Sequence, residues 1–435
     1  MKDCKAMREE FLYYIWEQKL FLTIPQSTTD RIAVEVIDVG KRNTFSGPDF
    51  FNAKVRIGDT IWAGNVEMHC KASDWYKHEH QNDPAYENVI LHVVVEDDQQ
   101  VMRKDGTPLA QMQLKTPEWL NNNYQTLCRT THAIPCLTKL KQIPEIYIAD
   151  WKNRLVVERW QQKYDTILQM LQQNANNWEE IFYWLMARNF GFHTNSLPFE
   201  WTARSLPLIY IAKHKNSLLQ IEAMLFGQAG LLPQTPLDDY SEKLIREYEF
   251  LKNKFQLTPI KQGIWKKGGV RPANSPYLRM AQFATLLHQS SKLFSKILEI
   301  EKVEDFYDLF QVQPSDYWTT HSQFAQPAKK RTKTLGKTSI DIILINTVFP
   351  TLFVYAKSRD DDALMEKALD FLQKLPAENN TIIQKWVTVG MTSRNAYDSQ
   401  ALLQLWHCYC NEKKCLRCRI GHKLLTSKGW KNELL

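Results

Sequence analysis

Signatures of several common enzyme classes are missing from this chain of 435 residues. It has no G-x-x-x-x-G-K-[ST] phosphate-binding loop, no G-x-G-x-x-G after a predicted strand and no G-x-S-x-G nucleophile elbow. Nucleotide hydrolysis and α/β-hydrolase chemistry are therefore poor candidates for its activity.

Long apolar runs are missing as well. No stretch approaches the roughly twenty apolar residues that cross a bilayer, and the opening MKDCKAMREEF carries charged residues instead of the apolar core of a signal peptide. Half of the eight cysteines lie in one short window instead of being distributed in pairs, which is typical of a reducing compartment. With 44% hydrophobic and 24% charged residues, we expect a cytoplasmic globular protein with no membrane partner.

The charge balance permits a polyanionic partner without demanding one. The formal net charge is +7, and basic residues concentrate at 329–337, at 265–271 beside a tryptophan, and at 411–435. Basic and aromatic groups together suit pairing with phosphates and stacking on bases. Each run alone is more commonly a solvated loop, so we predict nucleic acid as a partner only because these runs coexist with a candidate nuclease site.

The first 96 residues predict a mixture of helices and strands. Apolar residues recur at helical spacing over 6–22, and strand patterns follow at 32–39, 51–57, 60–70 and 89–95. Gly58-Asp59 supplies a hairpin turn between the second and third strands. Ser73 begins a short helix before the last strand. The predicted order of elements is therefore α-β-β-β-α-β.

That order, together with the segment GPDFFNAKVRIGDTIWAGNVEMH at 47–69, resembles the PD-(D/E)xK nuclease superfamily. Pro48-Asp49 matches the PD of that family at the head of the second strand. Glu67-Met68-His69 falls on the third strand, where (D/E)-x-K belongs. Side chains two apart on a strand share a face, so Glu67 and His69 point the same way.

The resemblance implies a divalent-cation site. Asp49 and Glu67 would bind Mg²⁺ or Mn²⁺, which prefer oxygen ligands, and Glu9 or Glu10 on the leading helix would add a further carboxylate. The family's lysine is His69 in this chain. A histidine can orient or deprotonate a water, or it can become a metal ligand and shift the preference toward zinc or manganese.

A histidine-rich stretch follows the motif. If 73–80 is helical, His78 faces the same side as Asp74, and His92 on the fourth strand points toward the same cleft. His78 and His92 are therefore additional candidate ligands, and a zinc enzyme built on Glu67, His69 and His78 is a weaker option. The alternatives are that these are surface or core histidines, that GPDF is an ordinary turn, and that Glu67 is solvated on an edge strand.

A second candidate metal site lies near the other end of the chain. The segment LWHCYCNEKKCLRCRIGH at 405–422 contains Cys408, Cys410, Cys415 and Cys418. Clustered thiolates bind zinc or an iron–sulfur cluster, and nearby lysines and arginines would lower the thiol pKa values. Cys410-x4-Cys415-x2-Cys418 leaves a fourth position, which Cys408, His407, His422 or the distant Cys136 would fill. The alternative is a set of reduced thiols at the end of a packed helix.

From about residue 140 the pattern predicts helices, for example at 145–174, 178–190, 200–213 and 276–298. Pro135 and Pro144 mark a boundary near 125–140. We therefore predict an α+β protein with a mixed-sheet, restriction-endonuclease-like domain at 1–135 and an α-helical domain at 136–400. A Cys-rich metal-binding tail at 401–435 is expected to pack on the helical domain.

Short phrases spread along the chain carry a second resemblance. YIWEQKLF, GPDF, VEMH, SDWYKH, VILHVV and KKCLRCRIG resemble an uncharacterised bacterial family, domain of unknown function 2851. The similarity extends over nearly the whole chain. It brings no established activity, and it implies only the two-part layout.

Two hypotheses of function follow from the sequence. The first is metal-dependent cleavage of nucleic-acid phosphodiesters, with Asp49 and Glu67 as ligands of Mg²⁺ or Mn²⁺ and His69 orienting water. The second is a non-catalytic nucleic-acid or protein-binding module with a structural zinc or iron–sulfur site at its C-terminal cysteines.

Overall fold

The structure, a computed structural model, describes residues 4–261, 263–290 and 292–428. It has the predicted α+β class, with 54% of residues in helices and 12% in strands. The chain divides into two compact units, Met1–Ile148 with His407–Leu435, and Ala149–Trp406. The segment His407–Leu435 thus belongs to the first unit, whereas its residue pattern predicted a tail at 401–435 that packs on the helical domain.

The first unit is built around a seven-stranded mixed sheet. After helix α1 (Cys4–Glu17), its strands are β1 (Gln26–Ser27), β2 (Ala33–Asp38), β3 (Lys41–Arg42), β4 (Phe50–Ile57), β5 (Thr60–Lys71), β6 (Val89–Glu96) and β7 (Gln111–Gln113). They are ordered β1-β2-β4-β5-β6-β7, and β3 pairs with β4. Strands β2, β4 and β5 are antiparallel, whereas β6 runs parallel to both β5 and β7.

The β4–β5 hairpin follows directly from local sequence. Gly58 has a φ of +59°, a conformation that glycine adopts without the steric cost of a Cβ, and Ile57 pairs with Thr60 across the turn. At the far end the pairing shifts register between Phe50 and Ala53, where Asn52 has a φ of +58°. Such a bulge bends a strand and re-aims the side chains at its end.

The helices after the sheet are, in chain order, α2 (Asp74–Lys77, before β6), α3 (Glu118–Arg129), α4 (Glu145–Gln173), α5 (Trp178–Phe190), α6 (Ser196–Ser205), α7 (Leu208–Lys213), α8 (Leu218–Gln228), α9 (Asp239–Phe255), α10 (Pro276–Gln289), α11 (Leu293–Glu299), α12 (Val303–Phe310), α13 (Tyr317–Thr320), α14 (Lys337–Ile343), α15 (Phe349–Lys357), α16 (Asp362–Lys374), α17 (Thr381–Thr388), α18 (Ala396–Leu405) and α19 (Arg419–Leu425). A two-stranded ribbon, β8 (His321–Gln323) with β9 (Gln326–Pro327), lies between α13 and α14 in the chain.

The C-terminal segment is tied to the first unit by specific hydrogen bonds. The amide of Asn123 in α3 donates to the carbonyls of Leu425 at 3.0 Å and Ser427 at 3.1 Å, at the end of α19 where helical carbonyls lack partners. The hydroxyl of Tyr14 in α1 lies 2.7 Å from Nδ1 of His422.

An apolar stretch of the helical unit departs from the expectation that no run approaches the length of a membrane span. Of the described residues, Lys337–Lys357 is long and apolar enough to cross a membrane, with a mean hydropathy of 1.6. It consists of α14, a π-helical turn at Leu344–Val348 and α15. Because 78% of its apolar window is buried inside the fold, and the core helix of a soluble protein passes the same test, the stretch is weak support for a membrane span.

The helical unit also buries a carboxylic acid. Glu222 in α8 is 1% exposed, and it accepts hydrogen bonds from the hydroxyls of Tyr240 and Ser315. Burial raises the pKa of Glu222 to about 7, although these two hydrogen bonds oppose the shift.

Candidate functional site

Two carboxylates meet where β4 begins beside β5. The backbone N–H of Asp49 donates to Oε2 of Glu67 at 3.0 Å, and the backbone N–H of Met68 donates to Oδ2 of Asp49 at 3.0 Å. Burial, followed by the negative charge of Glu67, raises the pKa of Asp49 to about 8. Burial likewise raises the pKa of Glu67 to about 8. Each acid thus accepts a hydrogen bond from the backbone at or next to the other acid, and a bound cation would offset the cost of ionising both.

Helix α1 adds two groups to this pair. The Tyr13 hydroxyl donates a hydrogen bond to Asp49, which lowers the pKa of that carboxyl, and the negative charge of Glu9 raises the pKa of both Asp49 and Glu67. Glu10, the other candidate, instead lies 3.1 Å from Nη2 of Arg42. Of the two acids that the resemblance implied on this helix, Glu9 is therefore the one that acts on the pair.

Three histidines converge on the same place. His69 in β5 and His78 and His80 after α2 each offer a ring nitrogen, and these atoms all lie within 4.8 Å of one another. Nε2 of His69 is 3.5 Å, and Nε2 of His80 is 3.4 Å, from Oε1 of Glu67. Glu67 therefore joins the carboxylate pair to the histidines in one cluster of oxygen and nitrogen donors.

Burial favours the neutral form of two histidines of this cluster, His69 and His80. Burial, helped by the neighbouring imidazoles of His92, His80 and His78, lowers the pKa of His69 to about 2, and burial also lowers the pKa of His80. A neutral imidazole is the form that binds metal. Nε2 of His80 is buried and makes no hydrogen bond within the described part of the chain. The ring of His80 stacks on Tyr86, with centroids 3.8 Å apart, which fixes its plane.

His92 lies behind the cluster and orients it. Its Nε2 is 2.8 Å from Nδ1 of His69, and its Nδ1 is 3.2 Å from Oε1 of Gln111 in β7. Because Nδ1 of His69 is engaged by His92, Nε2 is the nitrogen that faces Glu67 and, at 3.2 Å, Nδ1 of His78. His92, a candidate ligand from its sequence position, thus lies between His69 and Gln111, where both of its ring nitrogens are engaged. The partners of metal-binding histidines commonly lie in such a position.

Three members of the site were not among the residues selected from the sequence: His80, Tyr13 and Gln111. Tyr13 could have been selected from the sequence, because it lies four residues after Glu9 and therefore on the same face of α1. His80 belongs to the histidine-rich stretch, but no spacing in the sequence singles it out. It reaches the cluster because Glu79 has a φ of +60°, which turns the chain between His78 and His80. No periodicity in the sequence signals such a turn.

The C-terminal cysteines lie on short, irregular elements of the first unit. Cys410 ends a π-helical turn at Trp406–Cys410, Cys415 opens a 3₁₀ turn, and Cys418 caps α19. Gly421 passes so close that a Cβ there would meet the carbonyl oxygen of Cys415 at 2.1 Å. Cys410 and Cys415 are free thiols, as is Cys136.

Cys136 is electrostatically coupled to this group. Burial, and then the charges of Cys418 and Cys415, raise the pKa of Cys136 well above its usual range. Cys410 is shifted the same way by burial, Cys418, Cys136 and Cys415, and burial with Cys418 raises the pKa of Cys415 to about 12. Of the fourth partners that the sequence left open, His422 bonds Tyr14 instead.

A family model described as "Protein of unknown function (DUF2851)" matches residues 9–381 of the chain. No curated protein and no solved structure matches it. The matched range includes the carboxylates and histidines of the cluster, and it ends before the C-terminal cysteines.

Proposed function

We propose that this chain, which belongs to the family described as protein of unknown function (DUF2851), is a metal-dependent nuclease. The observation that carries the proposal is the donor cluster in the sheet. It combines Asp49 and Glu67, fixed by hydrogen bonds to each other's strands, with three histidines whose ligand atoms lie within 4.8 Å of one another.

The topology around the cluster supports a restriction-endonuclease-like assignment. An antiparallel β2-β4-β5 meander is followed by a short helix and by β6, which is parallel to β5. Asp49 immediately precedes β4, and Glu67 lies on β5. This is the order of elements and the placement of acids that the PD-(D/E)xK resemblance implies.

The residues present fit a divalent cation. Glu67 is 5% exposed, and Nε2 of His80 beside it is a buried nitrogen that makes no hydrogen bond within the described chain. A bound cation would satisfy this nitrogen and offset the negative charge of the acids. Mixed imidazole and carboxylate donors suit manganese or zinc better than magnesium, which prefers oxygen alone. Such an ion would lower the pKa of a bound water and neutralise charge on the phosphate.

The side chains divide into ligands and supports. Asp49 and Glu67 supply oxygens, Tyr13 holds Asp49 by its hydrogen bond, and His92 fixes the ring of His69. His69 stands where the resembled family has lysine, and its pKa of about 2 makes it a poor proton acceptor. Of the two roles that the sequence left open for His69, we therefore favour that of metal ligand over that of a base acting on water.

The test is cleavage of end-labelled DNA and RNA, single- and double-stranded, with Mg²⁺, Mn²⁺ or Zn²⁺. We expect the wild type to cut best with Mn²⁺ or Zn²⁺, and Asp49→Asn or Glu67→Gln to lower the rate at least about a hundredfold. Glu35→Gln, an exposed carboxylate of β2 in the same sheet, is the matched control. Cutting that survives both site substitutions contradicts the proposal, and tight binding without cutting supports the non-catalytic module instead.

We also propose that Cys136, Cys410, Cys415 and Cys418 hold zinc or an iron–sulfur cluster in the first unit. The mutual pKa shifts of these thiols support it, because thiols that each disfavour ionisation of the next are stabilised as thiolates when a cation binds among them. The role of this site would be structural, since it links the segment before α4 to the segment before α19.

A further inference from the structure

The helical unit Ala149–Trp406 contains a cleft of about 810 Å³ that the proposed nuclease activity does not use. One wall is a single face of α4, whose lining residues follow one another at spacings of three, one, three, one and three: Arg159, Gln162, Lys163, Thr166, Ile167 and Met170. The other walls come from α5, the turn after it, and the π-helical turn at Leu344–Val348 with the start of α15. The volume is that of pockets that hold small organic ligands.

The cleft is basic. Arg159, Lys163 and Arg188 line it, and among its described lining residues there is no aspartate or glutamate. Arg188 pairs with Glu200 outside the lining, but that one carboxylate is shared with Arg204, so the group keeps a net positive charge. Nζ of Lys163 donates to the carbonyl of Asn346 at 2.8 Å, and Nε of Arg159 donates to Oε1 of Gln400 at 2.6 Å. The carbonyl of Asn346 thus holds the Lys163 ammonium group, and the side-chain oxygen of Gln400 holds Nε of Arg159.

The face of α4 changes character along its length. Arg159 and Lys163 stand at one end of the cleft, and Ile167 and Met170 at the other, so that charge gives way to apolar surface over roughly 16 Å of helix. Leu185 from α5 extends the apolar end. A ligand that fills this cleft therefore has an anionic group at one end and an apolar body at the other.

Irregular backbone gathers around the same cleft. Phe192 and His193, consecutive lining residues, have φ values of +41° and +67°, a region that non-glycine residues rarely occupy. Asn346 and Thr347 line the cleft from the π-helical turn. Positive φ and π-helical turns both cost stability and occur often at binding sites. Their coincidence at one cleft is a second reason to assign it a ligand.

We propose that this cleft binds a phosphomonoester of about the size of a nucleotide, with its phosphate at Lys163, Arg159 and Arg188 and its organic body against Ile167 and Met170. Arginine and lysine are the side chains that recognise phosphate through charge-assisted hydrogen bonds. The body is either a nucleoside or an alkyl chain, since both present apolar surface next to the ester. The proposal is independent of the nuclease activity.

The electrostatics of Lys163 agree with this assignment. Burial, followed by the positive charge of Arg159, lowers the pKa of Lys163 to about 7, although Glu378 opposes the shift. A phosphate at the cleft would restore the charge of this ammonium group and relieve its repulsion with Arg159 and Arg188.

The test is calorimetric titration of the full chain with adenosine 5′-monophosphate, decyl phosphate and inorganic phosphate. We expect at least one ester to bind with a micromolar Kd, and at least about tenfold more tightly than inorganic phosphate. Lys163→Gln should weaken that ester at least about tenfold. Arg154→Gln, an exposed cation of the same helix outside the cleft, should leave its affinity within about twofold.

A second pair of variants keeps the test valid if Lys163→Gln does not fold. Thr166→Trp fills the cleft from an exposed position without changing its charge, and Gln169→Trp places the same side chain outside it. Loss of ester binding in the first variant alone supports the proposal. It is overturned if neither ester binds below about 1 mM, or if the paired variants lose affinity equally.

Discussion

The donor cluster of the sheet and the cleft of the helical unit are opposites in charge. In the sheet, burial raises the pKa of Asp49 and Glu67 to about 8. In the cleft, burial lowers the pKa of Lys163 to about 7. The physical cause is the same, because a charged group loses its hydration when it is enclosed. Burial therefore raises the pKa of an acid and lowers the pKa of an ammonium group.

This contrast agrees with the occupants that we propose for the two places. A cation would offset the charge of acids that resist ionisation, and an anion would offset the charge of an ammonium group that resists protonation next to arginines. A structural ion pair would instead have shifted each group toward its charged form. In both places, therefore, the protein presents groups whose electrostatic cost a ligand of opposite charge removes.

Removal of divalent cations should separate the two places most sharply. We expect EDTA to lower the cleavage rate at least about a thousandfold, because the acids and histidines then have no ion to hold water and phosphate. Ester binding in the cleft should stay within about twofold in a parallel titration. Restored cutting on addition of Mn²⁺ alone is the control, and undiminished cutting in EDTA contradicts the prediction.

The proposed thiol site of the first unit, which has no counterpart in the cleft, is tested by the metal content of the purified protein. We expect the purified protein to carry about one zinc or one iron–sulfur cluster, and Cys136→Ser to lose it, because Cys136 is coupled to the clustered thiols. Cys408→Ser is the matched control from the same segment and should keep the metal. Elemental analysis and absorption spectra measure both, and the prediction is wrong if the two variants behave alike.

The pH dependence of the free energy of unfolding tests the effect of burial on Glu222, a group of the helical unit, without any ligand. The pKa of Glu222 is raised to about 7 in the folded protein, so its stabilising contribution is fully present below about pH 4.5 and is lost as the pH rises to 7. Relative to Glu222→Gln, we expect the wild type to lose about 3 kcal/mol of unfolding free energy over that range. Denaturant titrations at pH 4.5 and 7.5 measure it. An unchanged difference would show that Glu222 ionises at its ordinary pKa.

The smallest effect concerns single imidazoles of the cluster. We expect His80→Ala to weaken Mn²⁺ or Zn²⁺ binding about ten- to a hundredfold, and His92→Ala to do so by a similar or smaller factor through the orientation of His69. His132→Ala, an exposed histidine of the same unit, should have no effect on calorimetric metal affinity. If His80→Ala and His132→Ala change the metal affinity equally, His80 is not a ligand of the site.

Much of the fold was predictable where the spacing of apolar residues in the sequence matches the repeat of a strand or a helix. The hairpin expected at 51–57 and 60–70 is observed as Phe50–Ile57 and Thr60–Lys71, because alternation and the Gly58 turn act locally. The helix expected at 200–213 is instead broken before Pro207, whose ring cannot continue a helix. Edge strands such as Gln26–Ser27 were missed because two residues carry no period.

The candidate site was predictable only in part. Asp49 and Glu67 carry a motif, and the structure brings them together through their hydrogen bonds. The choice of Glu9 over Glu10 depends on the rotation of α1 against the sheet, and the arrival of His80 depends on one left-handed residue. Both are consequences of tertiary packing, which a single sequence does not encode in any local pattern.

The first unit is discontinuous in the chain, and this affects how it is made. During synthesis the sheet emerges early, but the segment that Asn123 and Tyr14 hold follows only after Ala149–Trp406 has been translated. At typical elongation rates that interval is roughly 10–50 s. Until then α1 and α3 expose the surfaces that α19 later contacts, and the hydrogen bonds of Tyr14 and Asn123 to that segment cannot form.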